Sequence, residues 1–425
     1  MSLSRRDFLK ATSVGGGAAL AFGGLTLGSA RRGLAQVLPK PGGKRLVVIG
    51  AGFGGNHAAL AVKRLVPDAE VVILERGAFF VSCPATLEYL FGLNSLDTIT
   101  FGYSPLVAKG IRVLRTEVVG VEPDRKRVVT AAGAIEYDYL LVATGIRLAP
   151  EEVPGLEDAY ALNASIYDKG TPIIDARRKI DAFTGGTVVL NAPAVPYKCP
   201  PGPYEYALLW AEHVKRNNLK AKIVLVDAKP APIPVPNAQG FLDAMAAQQD
   251  VLEYRPQTKI TGVDGGKRTV QTDAGDLAFD FLSVIPPNRA TSLIKEAGLG
   301  TVFADVDPVT FRSTKNPSVY AVGDAAQTPF AKSAYTASVS GKIVGTHIAK
   351  AMGAAVSDPG APHNICYPYT ASDRAILTRA DWSFETKDGK VEIKTAITVD
   401  NTPKPGFVQI RKEWERGLWR EMFGA

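Results

Sequence analysis

Residues 45–75 read RLVVIGAGFGGNHAALAVKRLVPDAEVVILE, and this stretch decides the fold. Arg45–Ile49 is a short, β-branched, apolar run of the kind that forms a buried parallel strand. Gly50-Ala51-Gly52-Phe53-Gly54-Gly55 follows as G-x-G-x-x-G, then an alanine-rich helical stretch, His57–Leu65, and a second strand, Ala69–Leu74, ending in Glu75. Strand, glycine turn, helix, strand and acid together make a βαβ dinucleotide grip. Gly50 allows the tight turn, Gly52 lets the backbone approach a pyrophosphate, and Gly55 lets helix and strand pack closely. The helix N-terminus faces the phosphates, and Glu75 stands where a carboxylate meets an adenosine ribose. A glycine-rich turn in an ordinary α/β domain is the bland alternative.

The rest of the chain sets bounds on this reading. A length of 425 residues allows two or three domains with a well-buried core. The composition, 46% hydrophobic and 21% charged, is that of a soluble α/β protein. Of the net charge of +7, more than half comes from Arg5, Arg6, Lys10, Arg31 and Arg32, set against Asp7. The remainder carries no nucleic-acid footprint. No apolar run beyond the N-terminus has the ~18 residues of a membrane span. Ser4-Arg5-Arg6-Asp7-Phe8-Leu9-Lys10 matches the twin-arginine signal pattern, an apolar stretch from Ala11 to Leu27 follows, and Gly33-Leu34-Ala35 offers a cleavage site. A bacterial periplasm is the expected destination, reached folded and loaded with cofactor.

Further along, Cys83-Pro84 opens a helical stretch to Phe91, and Ile111–Val121 with Arg127–Thr130 alternate like the strands of a hairpin. Tyr137–Gly145 is an apolar strand closed by Ala143-Thr144-Gly145, whose turn lets the backbone pass near a cofactor. A second βαβ unit is expected from a strand at Gly186–Leu190, a helix at Tyr204–Asn217 and a strand at Lys222–Val226 ending in Asp227. Its phosphate loop, however, reads NAPAVPYKCPPGP over residues 191–203. Prolines remove backbone donors and fix φ, so this loop cannot cradle a pyrophosphate. The second unit is therefore expected to have lost its nucleotide, which argues against NAD(P)H as electron source. Pro317–Ala326 is a strand ending in Gly323-Asp324-Ala325, a motif whose acid binds the ribityl hydroxyls of FAD, so the first site is read as an FAD site. A helix over Ala331–Lys350 directs its N-terminal dipole at the flavin.

From Ala361 the pattern becomes a small α+β unit, with strands at Tyr367–Tyr369, Ala375–Phe384 and Val391–Thr398 and a turn at Lys387–Lys390. In the closing helix, Arg411–Phe423, the side chains Trp414, Leu418, Trp419, Met422 and Phe423 share one face. Core packing, or a dimer or partner face, is favoured over membrane insertion.

Three cysteines, Cys83, Cys199 and Cys366, fit no zinc or haem spacing. Their order, with the twin-arginine start, the glycine fingerprint and the Gly-Asp-Ala strand, resembles the flavoprotein subunit of flavocytochrome c sulfide dehydrogenase. The most specific stretches are NAPAVPYKCPPGPYE (191–205) and HNICY (363–367). This subfamily lies among the disulfide-reductase-like flavoproteins, beside the sulfide:quinone oxidoreductases. The resemblance implies that Cys83 attaches covalently to FAD, against the alternative of an inert buried thiol. It implies that Cys199 and Cys366 form a redox-active pair, against a purely structural disulfide. Glu205 is then a proton acceptor in the sulfur pocket, or a charge offsetting the helix dipole. Lys198 favours the Cys199 thiolate or points to solvent, and His363 is a proton-relay candidate.

The expected architecture is α/β: two Rossmann-like dinucleotide-binding domains, the FAD domain split in sequence, plus a small C-terminal α+β domain. The boundaries are 1–35 signal, 42–155 and 291–358 FAD domain, 156–290 second Rossmann-like domain, and 359–425 cap. Gly50, Gly52, Gly55, Glu75, Cys83, Thr144, Gly145, Gly323 and Asp324 hold the cofactor; Cys199, Cys366 and Glu205 are the catalytic candidates; no metal is expected. The implied activity is periplasmic, FAD-dependent sulfide oxidation that yields elemental sulfur or polysulfide. Electrons pass to a c-type cytochrome subunit, which must carry the haem because this chain has no Cys-x-x-Cys-His. Two alternatives stand: a sulfide:quinone oxidoreductase, and a flavin-containing accessory protein that reactivates a sulfur-oxidation system without turning over sulfide.

Overall fold

The computed structural model describes Leu38 and residues 42–168, 170–388 and 390–425. The twin-arginine stretch and its cleavage site lie outside these residues, as does Gly389 of the expected turn. In chain order, the elements that position the site begin with β1 (Arg45–Ile49), α1 (Phe53–Leu65), β2 (Glu70–Glu75), the short helix α2 (Thr86–Leu90), β3 (Arg112–Arg115) and β4 (Tyr139–Val142). Then come β5 (Gly185–Ala192), α3 (Gly202–Arg216), β6 (Lys220–Asp227), β7 (Leu252–Arg255), β8 (Phe281–Ser283), β9 (Val319–Ala321) and α4 (Ala334–Ala351). The chain closes with β10 (His363–Cys366), β11 (Tyr369–Ala371), β12 (Arg374–Lys387), β13 (Lys390–Lys404) and α5 (Pro405–Phe423).

All five residues of β1 are buried, as the unbroken apolar run requires of a strand covered on both faces. It sits at the centre of a parallel sheet ordered β9-β4-β1-β2-β3. β2 and β3 lie to one side of β1 and β4 to the other, so the strand order reverses between β1 and β4. A crevice opens at such a reversal, outside the carboxyl ends of the strands. Helices α1 and α4 cover one face with their backbones in direct contact. A Cβ at Gly341 would sit 2.5 Å from the Gly54 carbonyl oxygen, and one at Gly345 2.7 Å from that of Ala58.

A second parallel sheet runs β7-β6-β5-β8. Helix α3 packs on it through Trp210, which is fully buried with its ring 4.7 Å from that of Phe281. The third layer is antiparallel, with β12 pairing β10, β11 and β13. Helix α5 returns from β13 to the first unit, where Leu418, Met422 and Phe423 are buried in the α1/α4 core and Trp414 and Trp419 pack at its edge. The tryptophan face of α5 is thus turned inward. No helix among the described residues is long and apolar enough to cross a membrane.

Two local expectations are corrected. Ile111–Val121 is not one hairpin strand. β3 ends at Arg115 as the parallel edge of the first sheet, while Val118–Glu122 pairs antiparallel with Arg127–Thr130. Alternation reports a half-buried strand but not its partner, and the Thr116 amide, which donates to the Glu75 carbonyl at 2.9 Å, ends the first pairing. Of the strand expected at Tyr367–Tyr369, Tyr367 and Pro368 are instead a break between β10 and β11, and Tyr369 opens β11. Pro368 has no N–H for a ladder there, so His363–Cys366 forms the strand.

Candidate active site

A cavity of about 1050 Å³ lies over the ends of β1 and β4. Gly50, Gly52, Glu75, Cys83, Thr144, Gly145, Gly323 and Asp324 all line it. Gly55 does not; it lies beneath, where an added Cβ would meet the Gly50 carbonyl oxygen at 2.1 Å. At Gly52, by contrast, a Cβ would meet nothing within 4 Å. The Glu75 carboxylate is held in place, accepting from the Ala51 amide at 2.8 Å and the Gly77 amide at 2.7 Å. Asp324 Oδ1 is buried without a hydrogen-bond partner. Ser333, Ala334 and Ala337, at the start of α4, border the same space, and Ser333 caps that helix by accepting from the Thr336 amide at 3.1 Å. An open glycine cradle, an acid-free helix start at α1 and an orphaned buried acceptor fit FAD: pyrophosphate on Gly52, ribityl hydroxyls on Asp324. When bound, FAD supplies a two-electron acceptor.

Cys83 is exposed and sits in the single turn Cys83–Ala85, with Pro84 among its first residues. It is not the buried inert thiol of the alternative reading. Three hydrogen bonds hold the turn. Thr86 Oγ1 donates to the Cys83 carbonyl at 2.7 Å, Trp419 Nε1 to Ser82 Oγ at 2.9 Å, and Arg411 Nη2 to the Pro84 carbonyl at 2.8 Å.

The fold brings Cys199 and Cys366, far apart in sequence and both half-buried, near enough for the charge of Cys366 to act on the Cys199 thiol, and none of the three cysteines is in a disulfide. Cys199 lies in the proline-rich loop between β5 and α3 with φ at +50°, a left-handed conformation that side chains other than glycine rarely adopt. Its amide donates to the Lys332 carbonyl at 2.7 Å and its carbonyl accepts from Tyr167 Oη at 2.7 Å. Lys332 Nζ in turn donates to the Asp324 and Ala326 carbonyls, both at 2.9 Å, so one residue joins the Gly-Asp-Ala turn to the cysteine loop. Burial brings the Lys332 amine down to about 8, with the Asp324 carboxylate opposing. Cys366 ends β10, and its neighbour Asn364 accepts from Ser333 Oγ at 2.7 Å, tying that strand to the α4 N-terminus.

Burial pushes the Cys199 thiol well up, and the Glu205 carboxylate and Cys366 add to the effect. Cys366 is pushed up to about 12, again by burial first and then by Glu205. Glu205 is 1% exposed and accepts from the Tyr369 amide at 3.0 Å and Arg411 Nη1 at 3.0 Å. Burial raises its own carboxyl above the usual range. Although it lies in the first turn of α3, it is buried rather than exposed to solvent, and its charge acts on both sulfurs. Lys198 also points inward, its amine 3.4 Å from the Tyr167 carbonyl and 5.1 Å from that ring's centre. The cation acting on both cysteines is Arg411. His363 Nε2 lies 3.2 Å from Tyr335 Oη, on β10.

Arg411, Glu415, Glu88 and Lys332 were missed in the sequence. Arg411 and Glu415 are spaced i,i+4, the pattern of a solvent-exposed ion pair on a helix, and nothing local marks them as buried.

The second unit keeps the outline of a nucleotide grip with its contents replaced. Asp227, at the end of β6, occupies the position of a ribose-binding acid but is fully buried. It accepts from Tyr204 Oη at 2.8 Å and Tyr254 Oη at 2.9 Å, and pairs with Lys229 at 2.6 Å. The protein's own side chains saturate the acid that a nucleotide would need.

Residues 175–286 match the family model described as the central part of the sulfide dehydrogenase [flavocytochrome c] flavoprotein chain. The mitochondrial sulfide:quinone oxidoreductase of Dictyostelium discoideum is 24% identical over 359 residues, covering 81% of this chain and 79% of that protein. The sulfide-quinone reductase of Aquifex aeolicus is 29% identical over 184 residues, 42% of this chain and 41% of that one. The solved structure of the Aquifex aeolicus sulfide:quinone oxidoreductase superposes with a TM-score of 0.72 at 18% identity, covering 90% of this chain and 92% of that one, a likeness of fold. The chain is therefore related to the sulfide:quinone oxidoreductases over most of its length, and its central stretch is similar to the flavocytochrome c flavoprotein chain.

Proposed function

We propose that this protein is a periplasmic, FAD-dependent sulfide oxidoreductase that delivers electrons to a c-type cytochrome subunit. One observation carries the reading: Glu205 acts on both Cys199 and Cys366, and the Cys199 loop is joined through Lys332 to the Gly-Asp-Ala turn of the FAD cavity. With the pair oxidised, hydrosulfide attacks one sulfur. The S–S bond breaks, a new S–S bond forms in a cysteine persulfide, and the other sulfur leaves as thiolate. Glu205, whose charge acts on both sulfurs, is the group that takes the persulfide proton in this reading. Net, hydrosulfide loses one proton and two electrons to become zero-valent sulfur, released as elemental sulfur or polysulfide. FAD held at Gly52 and Asp324 would supply the two-electron acceptor, and a cytochrome subunit the one-electron outlet. Cys83 lines the cavity in a braced turn, which suits a covalent anchor to FAD. The saturated Asp227 site speaks against a nicotinamide donor.

The quinone-reducing reading is favoured by the names of the relatives. It loses the support of α5, whose tryptophan face is packed against the core. A steady-state assay with purified protein separates the two. Sulfide-dependent reduction of cytochrome c without quinone reduction is expected. Quinone reduction alone assigns the protein to the other acceptor, and neither activity with FAD intact leaves the accessory role.

A further inference from the structure

Beside the cysteine pair, three carboxylates surround one guanidinium. Glu88 comes from α2, Glu205 from α3, and Arg411 and Glu415 from α5, each with a side chain no more than 4% exposed. Arg411 donates to the carbonyl of Pro84, next to Cys83, and to that of Tyr367, next to Cys366. It also binds Glu205 and lies 4.3 Å from the centre of the Tyr369 ring. One side chain therefore ties all three cysteine-bearing segments together, since Glu205 starts the helix that follows Cys199. Glu88 accepts from Tyr369 Oη at 2.6 Å and Asn94 Nδ2 at 2.9 Å. Glu415 Oε1 has no hydrogen bond and lies 3.4 Å from Arg411 Nε.

Fully ionised, this group would leave two uncompensated negative charges in the interior, which a buried site does not sustain. Glu415, the least satisfied acid, is the one to hold a proton. Burial raises it to about 8, Glu88 and Glu205 act in the same direction, and Arg411 and Lys412 oppose. Both thiols feel the group: Glu205 and Glu415 act on Cys366 in one sense, and Arg411 in the other.

We propose that Arg411 is the positioning residue of the cysteine pair, gathering Pro84, Tyr367 and Glu205 around one guanidinium and, opposed by Glu415, setting how readily the Cys366 sulfur reacts. The inference rests on Cys199 and Cys366 being the reactive pair of the proposed function. Its test needs no sulfide. The reduced, flavin-loaded protein is treated with iodoacetamide across a range of pH, and alkylation of the Cys366 peptide is followed by mass spectrometry. Above about pH 8, where Glu415 is ionised, Glu415→Gln removes an opposing charge, so in that range the profile moves to lower pH by about one unit, roughly tenfold faster reaction at a fixed pH. Arg411→Met moves the profile the other way, and Arg411→Lys, which restores the charge, recovers most of the shift. Profiles that coincide with wild type, or move in the same direction in Glu415→Gln and Arg411→Met, overturn the proposal. If Arg411→Met does not fold, an unshifted Glu415→Gln profile overturns it alone. Sulfide-dependent flavin reduction is measured in parallel. Its absence in the wild type removes the proposed function, while the alkylation profiles still decide the role of Arg411.

Discussion

Alanine substitutions at Gly52 and Gly55 should separate flavin binding from folding, although the two glycines are three positions apart in one turn. At Gly55 the new methyl group would lie 2.1 Å from the Gly50 carbonyl oxygen and 3.2 Å from both Ala143 Cβ and Val48 Cγ1. A carbon–oxygen contact needs more than 3 Å, so α1 must move about 1 Å from β1, with backbone rather than a flexible side chain in the way. Overpacking of this kind costs about 1–3 kcal/mol, and a backbone clash belongs at the upper end. For a domain of 150–250 residues each kcal/mol lowers Tm by roughly 2–4 °C. At Gly52 the methyl meets nothing, and its φ of −78° is open to alanine. Gly52→Ala apoprotein should therefore melt with the wild type. Its methyl group instead occupies the approach of the pyrophosphate, and losing one charge-assisted hydrogen bond there costs about 1.5–3 kcal/mol, roughly 10- to 150-fold in FAD affinity. The assay is thermal unfolding of both apoproteins beside flavin titration, in a Cys83→Ser background so that binding stays reversible. A Gly55→Ala apoprotein with wild-type Tm, or a Gly52→Ala protein with wild-type FAD affinity, would refute the reasoning.

Three further outcomes follow from the geometry. Acid precipitation of the purified protein should leave yellow colour with the peptide, and Cys83→Ser should release it to the supernatant; free flavin from the wild type would remove the covalent anchor. Tyr204→Phe takes one hydrogen bond from the buried Asp227 carboxylate and should lower stability by about 1.5–3 kcal/mol in urea unfolding, without creating NADH-dependent flavin reduction. The third concerns the docking of α5. Glu421 accepts a hydrogen bond from His57 and pairs with Lys342, contacts that hold its carboxyl down to about 2. A carboxyl lowered in the folded state adds stability above its unfolded value of 4.5 and loses it as pH falls through the folded value. Tryptophan fluorescence from α5 should stay native above about pH 4.5 and change between there and pH 2. Glu421→Gln should lack that acid-dependent step.

The sequence alone was enough for the first nucleotide unit. β1, the glycine turn, α1 and Glu75 are neighbours along the chain, and the steric demands of Gly50 and Gly55 and the burial of a parallel strand act over a few residues. The same locality made the proline-filled loop before α3 readable as a spoiled cradle. It also identified Cys83, Cys199 and Cys366 as the residues to watch, but only through a resemblance, because nothing near any of them names its partners. The tertiary structure decided the rest. Strand alternation could not say that Arg112–Arg115 would leave its expected hairpin for the edge of the parallel sheet, since the pattern is the same whichever neighbour covers it. The apolar face of α5 could have met lipid, a partner or the core, and the return of the chain from β13 put it on α1 and α4. Arg411 and Glu415 read as a surface ion pair, yet the path of α5 places them under the cysteines with Glu88 and Glu205, from segments hundreds of residues away. The charge felt by a buried sulfur is a sum over spatial neighbours, and only the fold determines which residues those are.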